Sequence, residues 1–235
     1  MQQQKETGEV VMVVIPHPDD AEINTAGTVA KWAEEGKRII YVVTTNGDKG
    51  SSDPQADLQE IARIREKEQL EASKMLGVEE TVFMGCSDQC LEDTPDFRKE
   101  LVRLIRKFRP QKVITVDPFR RYPWHRDHRI TGQVLLDAVY PFARDNLSYP
   151  DLLKEGLEPH RVQEVFLWGP EDPNYVVDIT STFETKVKAL SCHESQVGGG
   201  KIEKMKPWLK DRAEKEAEKE EFQLGEAFHR INIWW

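Results

Sequence analysis

Four side chains that can bind a cation or move a proton stand together in the stretch "VVMVVIPHPDDAEI". The apolar run Val10–Ile15 ends at a proline, and His17, Asp19, Asp20 and Glu22 follow within six residues. Burying charged groups costs free energy unless they are paired, hydrogen-bonded or bound to a metal. Such a cluster at the end of an apolar strand therefore predicts that something positive binds there.

A second cluster, "HRDH", carries His125, Asp127 and His128. Zinc in catalytic sites takes three protein ligands from His, Asp, Glu or Cys and keeps one position for water, so two histidines and one aspartate would suffice. On spacing alone, a helix cap or a salt-bridge cluster explains these residues equally well. Cys86 and Cys90 in "GCSDQC" lack a second cysteine pair, so we interpret them as ordinary thiols.

Alternating elements along the chain would position these clusters. β-Branched apolar runs predict strands at Val10–Ile15, Arg38–Thr45, Thr81–Met84, Lys112–Val116, Glu164–Trp168 and Tyr175–Ile179. Amphipathic stretches predict helices at about Thr25–Glu35, Leu58–Leu76, Asp96–Phe108 and Arg129–Val139. This alternation is typical of a mainly parallel sheet sandwiched by helices, so we predict a Rossmann-like α/β fold.

Ligands of an open parallel sheet bind beyond the carboxyl ends of its strands. The segments "HPDDAE", "TTNGDKG" and "DPFRRYPWHRDH" follow predicted strands, so we expect them to meet at that edge. From about Ser181 the pattern changes to a helix through "TFETKVKALSCHESQ", a flexible "VGGG" loop and a charge-dense, solvated helix. We therefore expect one domain over residues 1–235, with an α/β core at 1–180 and C-terminal helices and a tail at 181–235.

Composition limits the kinds of partner. A chain of 235 residues fits one large domain, and a net charge of -9 argues against broad attraction to nucleic acid or to an anionic membrane. A mean hydropathy of -0.63 and the lack of a long uncharged apolar run exclude a membrane span. The first eight residues lack the apolar centre of a signal peptide, and three cysteines are too few for a disulfide framework. These features predict a cytoplasmic protein that acts on a small molecule.

Six motifs follow one another along nearly the whole chain: "PHPDDAEI", "TTNGDKG", "RIREKEQLEASKMLGV", "WHRDHRITG", "KVKALSCHESQ" and "GEAF". Their order resembles the LmbE-like or PIG-L family of zinc-dependent N-deacetylases. The segments "DPFRRYPWHRDHRITG" and "PNYVVDIT" are most similar to the branch that contains the diacetylchitobiose deacetylases and the bacillithiol and mycothiol deacetylases.

The resemblance implies roles for individual residues. It implies one zinc ion per chain, bound by His17, Asp20 and His128. Asp19 would then be the general base. His125 would stabilise the oxyanion of the tetrahedral intermediate, and Asp127 would orient the His125 ring.

Three further residues are expected at the substrate. Arg65 begins the family's Arg-x-x-Glu pattern, where the arginine is associated with substrate contact. Trp124 can stack on a sugar face, although an aromatic residue at such a place is core at least as often. Glu22 can contact substrate hydroxyls or hydrogen-bond its own loop. The resemblance also implies a small amino-sugar substrate and a homo-oligomer, specifically a hexamer, with no nucleic-acid or membrane partner.

We therefore predict a zinc-dependent hydrolase that removes the N-acetyl group from an N-acetylglucosamine-type sugar or glycoside. Two alternatives stay open: a deacylase of another small N-acyl compound, and a non-catalytic module that binds metal or sugar. Asp19 argues against the module, because binding alone needs no base. A nucleotide-binding Rossmann protein would need a glycine fingerprint after its first strand, and "PHPDDAEINTAG" has none.

Overall fold

The computed structural model describes residues 8–122 and 125–234. Its sheet contains the strands β1 (Val10–Ile15), β2 (Arg38–Thr45), β3 (Glu80–Cys86), β4 (Lys112–Val116), β5 (Glu164–Trp168), β6 (Tyr175–Asp178) and β7 (Gly225–Asn232). Its helices are α1 (Asp20–Asn24), α2 (Ala26–Glu34), α3 (Leu58–Met75), α4 (Pro95–Phe108), α5 (Arg126–Asp137), α6 (Pro150–Lys154), α7 (Phe183–Ser191), α8 (Glu194–Val197) and α9 (Lys201–Glu216). Within these ranges, no helix is both long enough and apolar enough to cross a bilayer.

The strands form one sheet in the order β3-β2-β1-β4-β5-β7-β6. The pairs β1–β2, β1–β4, β2–β3 and β4–β5 are parallel, whereas β7 runs antiparallel to both of its neighbours. The predicted mainly parallel α/β sandwich is therefore confirmed. From β1 the chain continues to β2 and β3 on one side, and from β4 it continues to β5 on the other. The strand order therefore reverses between β1 and β4, and a crevice forms at the carboxyl edge of the sheet at such a switch point.

The central strand β1 explains the unbroken apolar run of the sequence. Val11, Val13 and Ile15 belong to the hydrophobic cluster that α2, α3, α7 and α9 cover, whereas Met12 and Val14 belong to the cluster under α4 and α5. Successive side chains of a strand point to opposite faces, so a strand covered on both faces must be apolar at every position. The first polar residues after β1 consequently emerge at the carboxyl edge.

Helix α3 has an unusual buried face. It begins at the N-cap Asp57, whose carboxylate accepts a hydrogen bond from the Gln59 amide. One turn after another, Arg65, Gln69 and Ser73 are buried although they are polar. Buried polar groups need hydrogen-bond partners, so this face must meet polar groups of its neighbours.

The sequence predicted helices and a tail after residue 181. The structure has a strand there as well. The strand β7 lies in the sheet between β5 and β6. Its Glu226 is buried and accepts hydrogen bonds from the amides of Gly27 (3.0 Å) and Thr28 (2.7 Å) at the start of α2. The same carboxylate pairs with the buried ammonium of Lys186 on α7 at 2.6 Å. Glu226 therefore ties β7 to two helices.

Two helix boundaries also differ from the predictions. The expected helix through residues 182–196 is divided into α7 and α8. Helix α5 begins at Arg126, three residues before its predicted start, so Asp127 and His128 lie in its first turn rather than in the preceding loop.

Candidate metal and catalytic site

The loop after β1 and the first turn of α5 meet at the switch point of the sheet. His17 follows β1, and its backbone amide donates a hydrogen bond to Asp20 Oδ2 at 3.0 Å. The same oxygen lies 3.1 Å from His17 Nδ1 and 3.4 Å from His128 Nε2. Three of the residues predicted from two distant motifs thus point into one place.

This donor set fits a tetrahedral metal. Zinc binds imidazole nitrogen and carboxylate oxygen at about 2.0–2.2 Å, so neighbouring ligand atoms of a tetrahedral site lie about 3.3–3.6 Å apart. The separations of Asp20 Oδ2 from the nitrogens of His17 (3.1 Å) and His128 (3.4 Å) are close to that range. The two distances from Asp20 Oδ2 are therefore compatible with a divalent cation bound by these three residues.

The second nitrogen of His17 is held by two carboxylates. His17 Nε2 lies 3.1 Å from Asp88 Oδ1 and 3.1 Å from Asp127 Oδ2. A carboxylate behind a ligating histidine fixes the tautomer and the ring orientation, and it makes the other nitrogen a better ligand. His17 Nδ1 is thereby left to face Asp20 and a metal.

The contacts of Asp127 differ from its predicted role. Its fully buried carboxylate accepts hydrogen bonds from the amides of Gln89 (2.6 Å) and Leu91 (3.3 Å) as well as contacting His17. Burial acts to raise the pKa of Asp127, but these hydrogen bonds lower it to about 2. Within the described residues, Asp127 thus hydrogen-bonds His17, and no hydrogen bond joins it to His125, the ring that it was expected to orient.

Asp88 is a site residue that the sequence analysis missed. It lies in the loop after β3, where its amide donates to Asp48 Oδ1 at 2.9 Å, and Ser87 Oγ donates to the other oxygen of Asp48. The sequence interpretation of "GCSDQC" considered only its two cysteines and not the aspartate between them. The rule that ligands gather at the carboxyl ends of parallel strands would have found it, because Asp88 follows β3 directly.

His125 stands at the open side of the cluster. It is the exposed N-cap residue of α5, and its ring centroid lies 4.6 Å from that of His17 and 5.1 Å from that of His128. One ring nitrogen from each of the three histidines lies within 4.8 Å of the others. A second group with this spacing combines His125 with His17, Asp88 and Asp127. His125 can thus face a substrate or act as an additional ligand.

Asp19 lies beside the cluster in a constrained conformation. Its backbone has φ 98° and ψ -22°, a left-handed region that residues other than glycine seldom adopt. Its carboxylate accepts a hydrogen bond from Arg65 Nη2 at 3.2 Å, and the same nitrogen donates to Pro18 O at 2.5 Å. Arg65 Nη1 donates to Gly47 O at 3.0 Å. Arg65 therefore holds both the loop and the carboxylate of Asp19.

The electrostatics of the cluster favour a positive ion. Burial lowers the pKa of His17, but hydrogen bonds to Asp127, Asp20 and Asp88 raise it to about 11. Burial acts to raise the pKa of Asp20, whereas the charge of His128 and the hydrogen bond from His17 lower it to about 2. The carboxylates thus force a proton onto His17, which indicates that the site is built to surround a cation.

The pKa values of Asp19 and His128 shift in opposite directions. Burial and the negative charge of Asp20 raise the pKa of Asp19 to about 7. Burial lowers the pKa of His128, which favours the neutral imidazole that binds metals. A carboxyl group that titrates near neutral pH beside a neutral imidazole suits proton transfer at a metal site.

The remaining predicted substrate contacts have different outcomes. Arg65 is 3% exposed and binds protein groups, so in this conformation it supports Asp19. Glu22 is fully buried and accepts a hydrogen bond from Gln69 Nε2 at 3.0 Å. Glu22 thus makes a buried contact within the protein, and its contact with substrate hydroxyls stays a prediction. Trp124 lies outside the described residues.

An α/β sandwich with a candidate His/Asp metal cluster at its switch point, and the Arg65-bound carboxylate of Asp19 next to it, has the arrangement of a metal-dependent hydrolase. The family model described as PIG-L, GlcNAc-PI de-N-acetylase, matches residues 12–139. The chain belongs to this family.

Known proteins of this kind are similar over most of the chain. Diacetylchitobiose deacetylase of Thermococcus kodakarensis is 36% identical over 200 residues, which are 85% of this chain and 74% of that protein. A probable N-acetyl-alpha-D-glucosaminyl L-malate deacetylase 2 of Bacillus anthracis is 29% identical over 79% of this chain and 80% of its own length. The structure of N,N'-diacetylchitobiose deacetylase from Pyrococcus horikoshii, complexed with its inhibitor MPG, superimposes with a TM-score of 0.90 at 34% identity and covers 95% of this chain and 84% of that one.

Proposed function

We propose that this protein is a metal-dependent N-deacetylase that removes the acetyl group from an N-acetylglucosamine-type sugar or glycoside. The observation that carries the proposal is the His17–Asp20–His128 cluster. Asp19 immediately precedes Asp20 in the chain, and Arg65 holds the Asp19 carboxylate. The family description and the names of similar proteins, which state deacetylation of diacetylchitobiose and of an N-acetylglucosaminyl malate, support the substrate class.

We assign His17, Asp20 and His128 as the ligands of the metal. We propose that the metal is zinc, with one ion per chain. Two imidazoles and one carboxylate are the ligand chemistry of catalytic zinc. When bound, the cation supplies Lewis-acid polarisation of the acetamide carbonyl and of a water molecule.

The side chains around the metal site account for the proton transfers. Asp19, with a pKa of about 7, accepts a proton from the attacking water at neutral pH. His125 donates a hydrogen bond to the carbonyl oxygen as negative charge develops on it. The C–N bond of the acetamide then breaks, and Asp19 returns its proton to the departing nitrogen. The products are acetate and the free amino sugar.

Acetate release from a panel of compounds tests the proposal. The panel contains N-acetylglucosamine, diacetylchitobiose, an N-acetylglucosaminyl conjugate and an acetyl-lysine peptide. We expect release from at least one glucosaminide, little from the peptide, and none after removal of the metal by a chelator. Full activity of a demonstrably metal-free preparation would refute the metal mechanism. Comparable rates on the peptide would refute the sugar assignment and favour a general small-molecule deacylase.

The assembly and the location of the protein are separate proposals. The family resemblance implies a homo-oligomer, and we propose a hexamer. Light scattering after size-exclusion chromatography would then give about six times the chain mass of 27.2 kDa. A mass of one chain would refute it. Cytoplasmic location stays a prediction from the sequence, and fractionation of cells tests it.

A further inference from the structure

We propose that Gln69, a residue of α3 outside the metal and base assignments, is a positioning residue that fixes the backbone of Asp19 and so aims its carboxylate. The inference rests on the proposed function, because it matters only where Asp19 acts as the base. Its basis is two hydrogen bonds of the buried Gln69 amide and an ion-pair contact of the buried Glu22 with His193.

The conformation of Asp19 needs support from outside its own loop. At φ 98° the backbone is in a region that is unfavourable for a residue with a Cβ atom. Such conformations persist only where surrounding contacts hold them. The direction of the Asp19 side chain follows from this backbone conformation, so relaxation of the turn would move the carboxylate away from the metal cluster.

Two residues one turn apart on α3 hold the turn from the same side. Arg65 binds the carbonyl of Pro18 and the carboxylate of Asp19. Gln69 Oε1 accepts the hydrogen bond of the Asp19 amide at 3.1 Å. Residues four positions apart lie on one face of a helix. One face of α3 therefore hydrogen-bonds the backbone of Pro18 and of Asp19.

The orientation of the Gln69 amide is fixed from behind. Gln69 Nε2 donates to Glu22 Oε1 at 3.0 Å. The Asp19 amide can only donate, so the Gln69 oxygen faces Asp19 and the NH₂ group of Gln69 faces Glu22. The other oxygen of Glu22 lies 3.3 Å from His193 Nε2. Gln69, Glu22 and His193 are all 0% exposed.

This arrangement goes beyond packing. A buried position on α3 that served only to fill space would suit an apolar side chain, which carries no cost for burying polar groups. Gln69 instead uses both ends of its amide, one on the Asp19 backbone and one on Glu22. Asp19 therefore depends on a chain of three buried groups that reaches across to the segment between α7 and α8.

The test compares Gln69→Glu with Gln59→Glu, the same chemical change at an exposed position near the start of α3. Gln69→Glu sets one carboxylate against another and removes the donor to Glu22. We expect kcat to fall at least tenfold, with KM within twofold and metal content unchanged. Gln69→Met, which removes both hydrogen bonds without adding a charge, should behave alike. Gln59→Glu should match the wild type.

A double variant that exchanges the amide of Gln69 and the carboxylate of Glu22 distinguishes positioning from packing. In the double variant Glu22→Gln with Gln69→Glu, the amide introduced at position 22 donates to the carboxylate introduced at position 69. That carboxylate still accepts the Asp19 amide. We expect the double variant to recover most of the lost kcat, and a double variant as impaired as Gln69→Glu would overturn the inference.

Hydrogen–deuterium exchange provides a readout that does not depend on activity. The peptide covering residues 17–22 should exchange faster in Gln69→Met than in the wild type. Unchanged exchange, or an unchanged kcat in both Gln69 variants of an active enzyme, would overturn the inference. Absence of acetate release from the wild-type protein would refute the proposed function instead, while the exchange data would still report on the hold of Gln69 on Asp19.

Discussion

Metal binding to this protein should release a proton and should therefore strengthen as the pH rises. The perturbation is a change of pH from 7 to 9 on the metal-free protein. His17 must be neutral at the nitrogen that binds a metal, but its surrounding carboxylates raise its pKa to about 11. Below that pH the proton occupies the place of the metal, so the two compete.

The size of the effect follows from the pKa. At pH 7 the metal-free site lies about four units below the pKa of His17 (11 − 7 = 4), so the competent neutral form is about 10⁴-fold disfavoured. Each unit of pH between 7 and 9 should lower the apparent Kd for zinc about tenfold. Below pH 7 the dependence should steepen, because Asp19, with a pKa of about 7, must also ionise beside a dication.

Isothermal titration calorimetry in buffers of different ionisation enthalpy counts the protons. At pH 8 we expect about one proton released per zinc bound. The variant His229→Gln is the control. His229 lies on β7, where its ring contacts the Asp172 carbonyl oxygen, so its loss should not alter the number of protons released. A Kd that is constant from pH 7 to 9, with no proton released, would show that His17 is neutral without metal. The carboxylates around His17 would then not require a cation.

Further predictions concern the base, the two histidines at the start of α5, and Gly47, which packs against the Arg65 guanidinium. Asp19→Asn should lower kcat by about 10²–10⁴-fold with normal metal content by atomic absorption, and loss of metal would make Asp19 a ligand. His128→Ala should lose metal and activity together, whereas His125→Ala should keep metal and lose about 10²-fold or more in kcat; equal metal loss would make His125 a ligand. Gly47→Ala would place a methyl group, at φ 62°, against the Arg65 guanidinium, so we expect about 1–3 kcal/mol lower stability by thermal unfolding and a reduced kcat. Unchanged Tm and kcat would contradict that steric reading.

The sheet was predictable wherever one physical requirement dominated the sequence. The strand β1 must be apolar at every position because helices cover both faces, and its predicted and observed ranges coincide. The same holds for β4 and β5. The polar segments after β1 and β4 had to meet because parallel strands end at one edge, which brought His17 and His128 together.

Features that depend on partners far away in the chain were not predictable. The strand β7 begins "GEAFHR", where the buried Glu226 breaks the apolar pattern; its partners Gly27, Thr28 and Lys186 are remote in sequence. The family resemblance likewise implied that Asp127 orients the His125 ring. The start of α5 turns its carboxylate toward His17 instead.

The position of β7 has a consequence for how the protein forms during synthesis. In the part of the chain that the structure describes, β6 pairs only with β7, which is made about 50 residues later. Until Glu226 has left the ribosome, Lys186 lacks its carboxylate and the first amides of α2 lack their acceptor. The metal ligands after β1 and β4 are all synthesised by then. The strands that lead into the candidate site are thus complete in the growing chain before the residue that joins α2 and α7 to β7 has been made.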